Sequence, residues 1–172
     1  MTATNFLITG PPGCGKSTVI EGVLTIIDRP TTGFFTREIR EKGRRVGFAI
    51  ETLDGAKGLL AHVNARSRLK VGKYHVILHD LEEIAVPSMI PKSPDEVIVI
   101  DEIGKMECLS TLFRETLQST LDSPNRVIGS IALKGGRFIQ AIKKRGDVEV
   151  IVVSPENRDG LKTRLVQLLL SA

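Results

Sequence analysis

Gly10-Pro11-Pro12-Gly13-Cys14-Gly15-Lys16-Ser17, followed by Thr18, brings backbone freedom, a cation and two hydroxyls into nine residues. The spacing G-x-x-x-x-G-K-[ST] is that of a phosphate-gripping loop. Its glycines let the chain approach an anion closely and turn its N–H groups into one concavity. Pro11 and Pro12 carry no N–H, so the donors must come from Gly13 onward. Lys16 then reaches the β- and γ-phosphates and assists their transfer, while the Ser17 hydroxyl binds Mg²⁺. Cys14 sits at a free position of the motif and reads as a small residue that fits. A dinucleotide fingerprint is excluded, because G-x-G-x-x-G from Gly13 would require glycine where Thr18 stands.

A second constellation, VIVIDEIGKME, ends an apolar run in two adjacent acids. Asp101 is placed to polarise the Mg²⁺ shell, together with Ser17. Glu102 is placed to orient and deprotonate a water. Side chains diverge at a strand end, so the two acids can take different tasks. Beyond them, Gly104 offers an N–H to the γ-phosphate, and Lys105 either neutralises developing charge or is a solvated lysine in a tight turn. Asn157 and Arg158 follow the last strand, where ligands of α/β sheets sit, so Asn157 is a candidate contact to the base. The competing reading is local stabilisation of a helix start. Arg37, Arg40, Lys42, Arg44 and Arg45, mixed with Glu38 and Glu41, form either a basic flap over the phosphates or a charged hairpin tip. His62, His75 and His79 show no metal-ligand spacing.

These residues need elements to hold them. Asn5 to Thr9 reads as a strand and Lys16 onward as a helix, with Val19, Ile20, Val23, Leu24 and Ile27 on one face and Pro30 as the stop. Residues 34–61 read as an inserted antiparallel hairpin or meander, and Tyr74 to Leu78 as a further strand. Asp80 is expected to cap a short helix that fails near Pro87. Val97 to Ile100, all β-branched, fit a strand buried on both faces. Leu109, Leu112, Phe113, Leu117 and Leu121 mark an amphipathic helix. Strand (126–132), helix (138–144) and strand (148–153) follow, then a helix beginning near Pro155 with Ser154 as its cap. Alternating strands and helices predict an α/β domain with a mostly parallel sheet covered on both faces.

At 172 residues, one domain is expected. No apolar run is long enough to span a bilayer and the N-terminus lacks a signal-peptide pattern, which points to the cytoplasm. Two cysteines make no disulfide framework. A net charge of +4 suits a polyanionic ligand, whereas 4% aromatics and no Trp argue against a base-stacking nucleic-acid platform. A monomer is expected. The residues point to water as phosphoryl acceptor. Two other readings share the loop: a kinase, which needs an acceptor pocket and a lid, and a nucleotide-switched nucleic-acid ATPase.

Taken together, GPPGCGKST, GFFTREIR, RRVGFAIETLDG, VGKY, DEIGKME and ENRD resemble the thermostable and cancer-related nucleoside-triphosphatase family, over nearly the whole chain. The resemblance implies a three-layer P-loop NTPase fold with a RecA-like sheet. It also implies slow, Mg²⁺-dependent hydrolysis of ATP, GTP and other nucleoside triphosphates to diphosphate and phosphate.

Overall fold

Val97 and Val99 point into one buried cluster, Ile98 and Ile100 into another. That is the two-residue period of a strand covered on both faces. In the computed structural model, which describes residues 3–171, this strand lies inside a nine-stranded mixed sheet. The strands are β1 (Asn5–Thr9), β2 (Thr31–Glu41), β3 (Arg44–Thr52), β4 (Lys57–His62), β5 (Lys70–Val71), β6 (Tyr74–Val76), β7 (Val97–Ile103), β8 (Val127–Ile131) and β9 (Val148–Val152). Their order is β5-β6-β4-β3-β2-β7-β8-β1-β9. From β2 to β9 all neighbours are parallel, and from β5 to β2 all are antiparallel.

Helices cover both faces. Helix α1 (Lys16–Leu24) buries Val19, Ile20 and Val23 beside Leu161, Leu165 and Leu169 of α6 (Arg158–Leu170). On the other face lie α4 (Thr111–Asp122) and α5 (Arg137–Lys143), with a broken helical segment formed by α2 (Leu78–Asp80), a π-helical turn (Leu81–Ala85) and α3 (Val86–Ser88). Ser110 caps α4, accepting from the Phe113 N–H at 3.0 Å.

The antiparallel meander expected over 34–61 is present as β2, β3 and β4, and β2 joins it to the parallel strands. Residues 31–35 pair parallel with β7, and from Phe34 onward the strand pairs antiparallel with β3. The hairpin therefore continues the main sheet. Gly33 makes this possible: its φ is +120°, and a Cβ there would stand 1.9 Å from the Val99 carbonyl oxygen.

Three local expectations are corrected. Asp80 caps no helix, because its carboxylate is taken by the Leu59 N–H at 2.7 Å. The strand expected over 74–78 ends at Val76. The last helix begins at Arg158 rather than near Pro155, with Asn157 at its N-cap position. Within the expected amphipathic face, Phe113, Leu117 and Leu121 are buried, whereas Leu109 and Leu112 are exposed.

Candidate active site

The loop of residues 10–15 leaves the carboxyl end of β1 and enters α1 at Lys16. Gly15 holds φ +93°, a left-handed conformation that side-chain-bearing residues resist. Helix α1 has no side-chain cap and no acidic residue in its first turn. Its leading N–H groups are thus left without a side-chain acceptor and, with the helix dipole, suit an anion. Lys16 Nζ donates to the carbonyls of Gly10 (3.0 Å) and Pro11 (3.3 Å), which holds the ammonium over the loop. Cys14 Sγ lies where a Gly10 Cβ would meet it at 2.8 Å, so the thiol fills the space the glycine leaves.

Next to this loop, β7 delivers the two acids. Its register with β8 shifts between Ile100 and Ile103, at the Asp101–Glu102 peptide, which is cis. Asp101 is buried and accepts from Ser17 Oγ at 2.5 Å and from Ser130 Oγ. Burial pushes its carboxyl above the usual range, while the two hydroxyls, Arg37 and Lys16 pull it back. Glu102 diverges: its Oε1 stands 2.7 Å from where a Gly104 Cβ would be. Burial and then the Asp101 charge raise the Glu102 carboxyl, making it a stronger base than an ordinary glutamate.

A groove of about 740 Å³ joins these parts. Gly10, Pro12, Gly13, Gly15, Lys16, Ser17, Thr18, Asp101 and Glu102 line it, whereas Pro11 and Cys14 do not. Thr36, Arg37, Glu38, Arg45 and Phe48 line it from the hairpin, and Ala132, Leu133 and Lys134 from the loop after β8. The basic hairpin is therefore both a wall and a tip. Arg37 and Arg45 face the groove, whereas Arg40, Lys42 and Arg44 are exposed at the far end. Arg37 is held by Glu21 at 2.5 Å and Glu51 at 3.4 Å and stacks on Phe35, 4.6 Å from the ring centroid.

Other candidates fall elsewhere. Lys105 is exposed and lines a second cavity behind Glu102, and Gly104 is buried between Glu102 and Glu107. Asn157 uses its amide locally, accepting from the Ser154 N–H at 2.9 Å and donating to the Val152 carbonyl at 2.7 Å. Its neighbour Arg158 reaches the loop instead, its Cδ 3.2 Å from a Cβ placed on Gly15. Sequence reasoning missed Ser130, Thr36 and the 132–134 loop, and it read Glu107 as a partner for Lys105 or the start of a helix. Ser130 was within reach of the rule that ligands gather at the carboxyl ends of parallel strands. Glu107 belonged to the quoted motif, but its burial had no local signal.

No described helix is long and apolar enough to cross a membrane. Similarity to known proteins covers the whole arrangement. A family model described as NTPase matches residues 5–166. The chain is 43% identical over 164 residues to nucleoside-triphosphatase THEP1 of Thermotoga sp. (strain RQ2), covering 95% of this chain and 94% of that protein. It is 37% identical over 181 residues to the human cancer-related nucleoside-triphosphatase, covering 95% of each. The crystal structure of THEP1 from the hyperthermophile Aquifex aeolicus superposes with a TM-score of 0.87 at 32% identity, over 97% of this chain and 99% of that one. The family model and these relatives span nearly the whole chain, and the chain belongs to the nucleoside-triphosphatase family.

Proposed function

We propose that the protein hydrolyses nucleoside 5′-triphosphates, ATP and GTP among them, to the diphosphate and phosphate. The observation that carries this reading is the meeting of the phosphate loop with a divergent acid pair, Asp101 on Ser17 and Glu102 free of it. The loop amides beyond Pro12 and the Lys16 ammonium hold the polyphosphate. Glu102 accepts a proton from a water as the water oxygen bonds to the γ-phosphorus and the bond to the β–γ bridging oxygen breaks. Lys16 and Arg37 offset the charge that moves onto the departing diphosphate and the transferred group.

Ser17 Oγ and Asp101 Oδ2, 2.5 Å apart, form a hard-oxygen pair suited to Mg²⁺, which takes few protein ligands and completes its shell with water and phosphate. When bound, the ion neutralises phosphate charge. Arg158 beside Gly15 supports contact with the nucleotide from α6 more directly than Asn157 does. The single-domain reading, the cytoplasmic location and the monomeric state belong to the same proposal. Nucleic acid has no part in it.

The test is Glu102→Gln. Phosphate release from ATP with Mg²⁺ is expected to fall at least 100-fold, with nucleotide affinity kept within about threefold, the pattern of a group acting in the transition state. Turnover equal to that of the native protein would remove Glu102 from the mechanism.

A further inference from the structure

Behind Glu102 lies a second cavity of about 230 Å³. Its walls are largely apolar: Phe48 of β3, Leu60 of β4, Val71 of β5 and Met106 after β7. It shares Thr36, Phe48, Glu102, Ala132 and Lys134 with the loop groove, so the two spaces adjoin at the carboxyl of Glu102. A Cβ on Gly104 would lie 2.7 Å from Glu102 Oε1 and 2.8 Å from Glu107 Oε2, so both carboxyl groups flank Gly104, and both residues line the cavity.

A hydrolase needs room at its base for one water, whose share of liquid volume is about 30 Å³. This chamber is several times larger, and it leaves Phe48, Val71 and Met106 only half-buried in the protein alone. Apolar walls around a pair of hydrogen-bonding groups suit a small organic molecule with one polar end. Burial and the neighbouring Glu102 push the Glu107 carboxyl up to about 8, so at neutral pH it offers an O–H donor beside the Glu102 acceptor. The pair thus matches a hydroxyl, which both donates and accepts.

We propose that this cavity is a phosphoryl-acceptor site for a small neutral alcohol, whose apolar body rests on Phe48, Val71 and Met106 and whose hydroxyl lies on Glu102. The inference rests on the loop groove binding a nucleoside triphosphate as described above. In the step, the alcohol oxygen forms a bond to the γ-phosphorus as the bond to the β–γ bridging oxygen breaks. The nucleoside diphosphate leaves with that electron pair. The hydroxyl proton passes to Glu102 and then to solvent. The products are a phosphate monoester and a nucleoside diphosphate, with no change of oxidation state.

The experiment incubates the full chain with Mg²⁺, ATP labelled in the γ-phosphate and one primary alcohol at a time, from ethanol to hexanol and benzyl alcohol, at equal concentration. Labelled ester and orthophosphate are separated and counted. The ester-to-orthophosphate ratio is expected to climb by up to about fourfold per methylene, the factor for burying one such group, and to drop once the chain outgrows the cavity. Val71→Trp, on the two-residue strand β5, is expected to lower that ratio at least tenfold for the best alcohol, with circular dichroism reporting the fold. Met106→Trp fills the same cavity from the segment after β7 and gives the same result independently. A ratio indifferent to alcohol length, or one that neither tryptophan alters in a folded protein, overturns the acceptor site while leaving hydrolysis standing. Absence of both labelled products overturns the nucleotide reading beneath it as well.

Discussion

Replacing Glu107 by glutamine tests the electrostatics of the inner wall of the site. Glu107 is 3% exposed, and its carboxyl is pushed from 4.5 up to about 8, first by burial and then by the charge of Glu102, with the backbone amides of Glu107 and Gly104 pulling the other way. Below pH 4.5 both folded and unfolded chains hold the proton, and the group adds no pH dependence. Between 4.5 and about 8 the unfolded chain releases it while the folded chain keeps it, so the unfolded state binds fewer protons and stability falls as pH rises. At about 1.4 kcal/mol per pH unit, this interval withdraws roughly 5 kcal/mol by pH 8 and roughly 3 kcal/mol by pH 7. Glutamine keeps the shape and does not titrate. Glu107→Gln should therefore match the native protein within about 1 kcal/mol at pH 5 and exceed its stability by several kcal/mol at pH 8. Urea denaturation followed by circular dichroism at pH 5, 6, 7 and 8 measures the difference directly. Asp101 and Glu102 remain in both proteins, so the difference reports the burial of Glu107 together with its repulsion by those two acids. A stability difference independent of pH, or a variant weaker than the native protein at pH 8, refutes this account of the buried acid.

Lys16→Ala removes a charged donor from the polyphosphate and should weaken ATP binding between about 10- and 100-fold, as read by titration calorimetry. Ser130→Ala strips one of the two hydroxyls from the buried Asp101 carboxylate, which should cost about 1–3 kcal/mol of stability in a denaturant titration and raise the Mg²⁺ concentration needed for half-maximal turnover. Gly33→Ala forces a methyl onto the Val99 carbonyl at a φ of +120° and should lower the melting temperature by at least about 8 °C, measured by calorimetry.

What the sequence could disclose was whatever its own neighbours determine. The glycine–lysine spacing, the apolar run into Asp101-Glu102 and the helix after Lys16 are local patterns, and the structure joins them as expected. Ser130 and Asp101 lie 29 residues apart, and nothing local to either signals that bond. Glu107 reads locally as a partner for Lys105 or the start of a helix, and only the packing of its short 3-10 turn buries it. Asn157 was correctly placed at a loop beyond a strand end. However, the turn Pro155–Asn157 consumes its amide, which local spacing could not distinguish from an outward contact. Strand β2 was hardest to read, since an alternating run of residues carries no sign that one end pairs parallel and the other antiparallel.

That double pairing explains why the antiparallel half of the sheet belongs to the site. The last parallel pair of β2 with β7 is Phe35 with Asp101, so β2 outruns its partner at the residue that begins the acid pair. From Thr36 to Glu41 the strand is supported by β3 alone and projects past the carboxyl edge where the phosphate loop lies. Thr36, Arg37 and Glu38 thereby become a wall of the groove, and Phe48 of β3 closes its join with the acceptor cavity. The ion pairs of Arg37 with Glu21 and Glu51 involve side chains that are a third or more exposed and contribute little to stability. Their effect is positional, because α1 and β3 together fix a guanidinium beside the loop before any ligand arrives. A flexible lid would have to order such a cation on each binding event, at about 1–2 kcal/mol per immobilised residue. A strand that continues the main sheet has met that cost in folding, which is why Arg37 acts here as a fixed wall charge and not as a closing flap.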